Sequence, residues 1–358
     1  MTTPIIDVPA GLTAEQAAVV ASQQVFQAQQ QQLRAQLAAA LIAVWAGVAS
    51  AQAFNPQAAA KFVASILPIS LGAQRAMSAI TVAQMNRMVG PPTPIVIAPD
   101  AVTGPALRQR DPADYYERPF REVKWRLSQG KPLGEALDAG RRRAESIAQT
   151  DLQLAHTHTA RSYLDEARAR TARRREAWKA LPPRERRNTP RPTTGSAGTV
   201  VGYRRVLSNR PNHCALCVLA STQRYHRENL MPIHPGCGCT VAPVFSTDDR
   251  SDQLVLDPSL AQEVDNIIRR DLGEDYLDRN RSKSKGGRSG PDLYKDIVVT
   301  NDHGELGPVL GVRGHHFERD PGRPGHLGHI RVNPKPEAEP DFPDLDVPAQ
   351  ALRSVNAS

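Results

Sequence analysis

Residues 33–48 read LRAQLAAALIAVWAGV, and their spacing sets the fold class. Leu33, Leu37, Leu41, Val44, Trp45 and Val48 recur every three or four positions, the period of one helix face. Upstream, Thr13 and Gln16 form a T-x-x-Q capping box that opens this helix, followed by a Gln-rich run. Downstream, Asn55-Pro56 places an N-cap before a proline at the first helical position. A helix over about 56–66 should follow, broken near Pro68. Another should run from Ser70 to Met88 and end at Gly90-Pro91-Pro92. The head is therefore expected to be all-helical, with apolar faces that bury against each other or against a partner.

The uncharged run Ala35–Ala60 invites a membrane reading. Its strongly apolar part, residues 37–49, is shorter than the ~20 residues a span needs, so it is expected to be a buried helix. The N-terminus, MTTPIIDVPAG, lacks the basic start and apolar run of a secretory signal.

Beyond the head, residues 90–113 hold six prolines and read as a linker. A second helical block is expected over 114–181, because 133–181 contains no proline and carries a sparse apolar face. Residues 182–198 read as a flexible basic loop. The module 199–317 carries β-like runs at Thr199–Leu207, Thr240–Phe245, Asp296–Thr300 and Gly307–Val312, and a helix is expected near Pro258–Arg270. Residues 318–358 read as disordered, with an acidic, Pro-rich stretch. The fold class expected is α+β, predominantly α-helical. The chain has 358 residues, but only 5% are aromatic and 30 are proline, a lean composition that favours modules and linkers over one large core.

Charge is unevenly placed. The formal net charge is +8, yet residues 1–100 are near neutral. The stretch 168–191 holds ten basic residues against Glu176 and Glu185. After Lys335 come Glu337, Glu339, Asp341, Asp344 and Asp346. Double-stranded DNA is a candidate ligand of Arg168, Arg170, Arg173, Arg174, Arg175, Arg184, Arg186 and Arg187, as is the acidic surface of a partner. A solvated helix face with a basic loop explains the same residues. Trp178 is the lone aromatic there, which argues against stacking on single strands.

All four cysteines fall within residues 214–239, as Cys214-x-x-Cys217 and, nineteen residues later, Cys237-x-Cys239; His234 sits three before Cys237. Two thiolates two residues apart reach one tetrahedral ion from a tight turn, and a distant second pair closes the site. A structural zinc site is the leading reading, since soft sulfur donors in tetrahedral geometry suit Zn²⁺. Both Cys237 and Cys239 could ligate, or one of them with His234. Buried thiols and disulfides remain alternatives.

Here the chain resembles a known family. Gly202–Leu207 (GYRRVL), Cys214–Cys217 (CALC), Leu230–Cys239 (LMPIHPGCGC) and His303–Leu310 (HGELGPVL) are similar to segments of the phage Mu F-like minor head proteins, in particular those of actinobacterial tailed phages. Weaker similarity extends over most of 35–317. The resemblance implies a minor capsid, or head-morphogenesis, protein located in the virion and assembled in the host cytoplasm. Its implied partners are the portal protein and the major capsid protein, with no membrane. Family members are also labelled capsid maturation proteases, and a virion DNA-binding or ejection role is a third reading. No G-x-S-x-G or H-E-x-x-H motif supports an enzyme, so no catalytic residue is assigned. His303-Gly304-Glu305 lacks the following P-C-x-x-C of zinc deaminases.

Overall fold

The computed structural model describes residues 14–48, 56–108, 110–196, 198–206, 224–225, 239–245, 269, 298–302 and 308–312. Helix α1 (Ala14–Val48) carries the apolar stripe anticipated above, and Leu37, Leu41 and Trp45 on it are buried. The stripe packs on α2 (Pro56–Val89), which runs antiparallel to α1: Ser22 donates to Gln84 at 3.0 Å, while Gln30 donates to Met77 Sδ at 3.5 Å. The 47-residue α6 (Leu133–Lys179) lies parallel to α2, joined by Gln74–Asp151 at one level and Asn86–Tyr163 further along. Helix α5 (Arg118–Ser128) folds back against α6, and Glu122 pairs with Arg143 across them at 3.3 Å.

The apolar centre lies where these helices meet. Trp45 packs edge-on to Phe62 with ring centroids 5.4 Å apart and tilts against Phe120 at 5.2 Å. Gly140 permits this approach, because a Cβ there would come within 2.6 Å of Val123 Cγ2 and 2.8 Å of Trp45 Cη2. Head and middle helices thus share one core, which also takes in Leu107, Tyr116, Ile147 and Leu152.

Three expectations change. Pro68 does not end a helix: it sits inside α2. An interior proline costs ~3 kcal/mol. Phe62 and Ile66 before it and Ser70 and Met77 after it are all fully buried on the same side, and that burial holds the helix continuous.

Residues 90–113 are not a loose linker. They carry a 3-10 turn at Pro99–Ala101 and the short helices α3 (Pro105–Arg108) and α4 (Pro112–Tyr116), each opened by a proline at its first position. Ile95, Val102 and Leu107 are buried. The Asn86 side chain grips the Ile95 backbone from both sides, accepting from its N–H at 2.9 Å and donating to its carbonyl at 2.8 Å.

Residues 182–196 and 198 also have defined structure. They form α7 (Pro183–Asn188) and then run back along α6, where Arg174 and Arg175 donate to the carbonyls of Thr193 and Pro192. Gly195 lies directly on the C-terminal end of α2, since a Cβ there would overlap the Val89 carbonyl oxygen. Ser196 N donates to Gly90 O at 2.9 Å.

Strands β1 (Val200–Val206), β2 (Arg224–Tyr225) and β3 (Thr240–Phe245) form an antiparallel sheet in the order β2-β1-β3. A separate pair, β4 (Val298–Asp302) and β5 (Pro308–Val312), is also antiparallel. Four of these five strands fall on the runs named from sequence; two-residue β2 had no signal. The helix expected near 258–270 lies outside the described residues except for Arg269, which is helical. The region 318–358 lies wholly outside them. Helix α2 is long and apolar enough to cross a membrane by length and composition alone. Its Phe62, Ile66 and Met77 are fully buried within this chain.

Candidate functional site

Of the five proposed metal ligands, Cys214, Cys217, His234 and Cys237 lie outside the described residues. Cys239 is described: it is 5% exposed and immediately precedes β3. The register places Val206 opposite Thr240, so the chain leaves β1 and enters β3 at the same end of the sheet. Strand β2 begins at that end too, with Arg224 opposite Arg204. The segment that carries Cys214 and Cys217 therefore starts and finishes at the sheet end where Cys239 sits. This connectivity permits closure of one site by both halves of the cluster. The donor set, four thiols and an imidazole within 26 residues, has the chemistry of a structural zinc site. Among the described residues alone, no group of three His, Cys, Asp or Glu side chains could hold a metal.

The sheet end beside Cys239 is fastened to the helices by polar contacts. Thr240 Oγ1 donates to Gln23 Oε1 at 3.1 Å and accepts from Gln27 Nε2 at 3.5 Å. Gln23 Nε2 also reaches the Val241 carbonyl at 3.4 Å. All three side chains are buried. The Gln-rich start of α1 thus serves as the seat of β3.

A second polar cluster lies deep between α2, α4 and α6. Arg108 donates to Asp151 Oδ1 at 2.6 Å, with both side chains about one-twentieth exposed. Tyr116 donates to Asp151 Oδ2 at 3.0 Å, and Ser70 Oγ lies 2.6 Å from the Tyr116 hydroxyl. Gln74 donates to both Ser70 and Asp151 and accepts from Gly104 N at 2.7 Å. Gly104 has φ +58, a conformation that favours glycine. Burial pushes the Tyr116 phenol well above its ordinary range, and the Asp151 carboxylate pushes it the same way. Tyr116 therefore stays a neutral donor. Ser, Tyr and Asp in a chain of hydrogen bonds can suggest nucleophilic chemistry. Here Ser70 and Tyr116 have no exposure, so the cluster locks the 99–117 segment onto α2 and α6. Sequence reading missed this cluster. Its one signal was the presence of Gln74 within the largely apolar run of α2.

The arginine set divides in two. Arg170 pairs with Glu166 at 2.7 Å and donates to the carbonyls of Thr93 and Pro94; its hydrogen bond holds the Glu166 carboxyl below its ordinary value. Arg175 bonds Pro192 O and Thr199 Oγ1. Arg186 lies over the Trp178 ring at 5.7 Å, and the indole N–H donates to Thr189 O at 2.8 Å. These three arginines are half-buried fasteners rather than free ligand groups. Arg168, Arg173, Arg174, Arg184 and Arg187 are exposed.

Comparison with protein families, with curated proteins and with solved structures finds no match to this chain.

Proposed function

We propose that this chain is a minor capsid, head-morphogenesis protein of a tailed bacteriophage that associates with the portal or capsid shell during procapsid assembly. It would carry a structural zinc held by Cys214, Cys217, Cys237 and Cys239, with His234 in place of one thiolate or supporting them. The reading rests on the C-x-x-C … H-x-x-C-x-C spacing together with the HGELGPVL segment. It is supported by the pairing of Gly202–Val206 with Thr240–Val244, which sets the two flanks of the cysteine cluster side by side in one sheet. Zinc would supply cross-linking here, closing a segment poor in apolar residues. No membrane role is proposed, and an assembly role is favoured over an enzymatic one.

Co-expression with the major capsid and portal proteins tests the assembly reading. The chain should co-purify with procapsids at a few copies each, and its deletion should give aberrant heads. Heads that form normally without it would overturn the proposal. Metal analysis of the purified chain should find about one zinc per molecule; below ~0.2 equivalents the metal part fails. Packaged duplex DNA as a partner is favoured only for the exposed subset Arg168, Arg173, Arg174, Arg184 and Arg187. Random-sequence duplex should then bind with a steep salt dependence.

A further inference from the structure

Residues 168–191 hold ten basic and two acidic side chains, a net of +8 that equals the formal charge of the whole chain, so the remainder sums to zero. The structure gathers these residues on one ridge. Beyond Thr171 no residue of α6 is buried, and α7 with residues 189–193 folds back along it through Trp178, Arg174 and Arg175. Arg168, Arg184, Arg187 and Arg191 are exposed and make no ion pair with a described carboxylate. Arg174 reaches only a carbonyl, so its charge too is uncompensated.

The same sequence holds a stretch of complementary character towards its C-terminal end, with more carboxylates than the cation-free acidic run 271–278. Residues 337–346, EAEPDFPDLD, carry five carboxylates and no cation. Twenty-four residues separate Val312, the end of β5, from Glu337. Fully extended they reach ~80 Å, more than the ~70 Å length of α6 itself. A tether of that length is compatible with contact. Tethering raises the local concentration of such a segment to the millimolar range. Arg–carboxylate pairs are individually weak at a surface. Several together, at a raised effective concentration, favour occupation of the ridge at low salt.

We propose that the acidic segment 337–346 docks on the arginine ridge formed by the C-terminal part of α6, by α7 and by Arg191. This contact shields the chain's concentrated positive charge from other polyanions until one of higher charge density displaces it. The inference does not depend on the capsid reading.

Arginine-selective modification with phenylglyoxal, read residue by residue by mass spectrometry on the full chain, tests it. The comparison is with a full-length variant carrying E337Q, E339Q, D341N, D344N and D346N. At low salt, labelling of Arg168, Arg184, Arg187 and Arg191 should rise about 5–10-fold in the variant. Raising salt to about 0.5 M should produce the same rise in the unaltered chain. Exposed Arg121, distant in sequence and paired with Glu117, should not change. The variant should also bind a random-sequence duplex about tenfold more tightly. Equal labelling of the ridge in the two proteins would overturn the proposal. So would duplex binding of unchanged affinity, which would assign the ridge to an external polyanion.

Discussion

Replacing Asp151 with alanine tests whether the buried polar cluster fastens the 99–117 segment. Asp151 accepts from Arg108 at 2.6 Å, Tyr116 at 3.0 Å and Gln74 at 3.3 Å. Its removal leaves the Arg108 guanidinium one-twentieth exposed without its carboxylate. Breaking a buried ion pair from one side costs about 3–5 kcal/mol. With a urea slope of about 2–3 kcal/mol per molar, the unfolding midpoint should fall by about 1–2 M. The assay is urea unfolding followed by helical circular dichroism. The double variant R108M/D151L removes both charges and fills the site with apolar atoms, and Tyr116 can still pair with Ser70 by becoming the donor. It should lose clearly less than D151A. A D151A loss under ~1 kcal/mol would refute the assignment. A double variant no better than D151A would show that the stranded cation is not the source of the cost.

Gly195→Ala should force residues 193–198 away from the end of α2, because the added Cβ overlaps the Val89 carbonyl; a loss of about 1–3 kcal/mol and faster amide exchange in β1 are expected. Thr240→Val removes the hydroxyl shared by Gln23 and Gln27, so two buried amides each lose a partner; the loss should be about 1–3 kcal/mol, with increased exchange in the first half of α1. His158 is pulled down to about 4, chiefly by burial and then by Arg161. The folded state thus binds fewer protons than the unfolded one below pH ~6.5. Stability should be full above that pH and fall as pH drops toward 4, by at most about 3 kcal/mol. His158→Gln should flatten that part of the profile, and an unchanged profile would remove His158 as its cause.

The helices were legible wherever apolar spacing was dense. Leu37, Leu41 and Trp45 announced α1 because one face of it enters the core. The proline-rich regions were misread for a physical reason. A proline within a helical run reads locally as a break, but Pro68 is overridden by burial on both sides of it. Pro99, Pro105 and Pro112 sit where a missing N–H costs nothing, at first helical positions. The arginine stretch was visible as charge. Its division into fasteners and exposed groups was not, because Arg170 is committed by a carbonyl 77 residues away and Arg175 by one that reaches it only when the chain folds back along α6. The cysteine spacing by itself points to a site, because ligand spacing is a local property of the chain. What the fold adds is the strand register that returns Cys239 to the end of the sheet from which the segment with Cys214 and Cys217 departs.

That register also bears on how the two parts of the chain depend on each other. Gln23, Gln27 and Gln30 are buried on α1, where most soluble helices place apolar side chains. Gln30 and Gln23 reach the methionine sulfurs of Met77 and Met88, weak acceptors that satisfy a buried amide poorly. Gln23 and Gln27 gain oxygen partners from Thr240 and Val241. The beginning of α1 thus relies on β3 for part of its hydrogen bonding. Strand β3 in turn is six residues long and, among the described residues, pairs with β1 alone, whose entry is fixed by Gly195 on the end of α2. The sheet is therefore not an appendage of the helical core. A cross-link at Cys239, one residue from Thr240, would act directly on the clasp that orders the first half of α1, while the aromatic centre at Trp45 and Phe120 would hold without it.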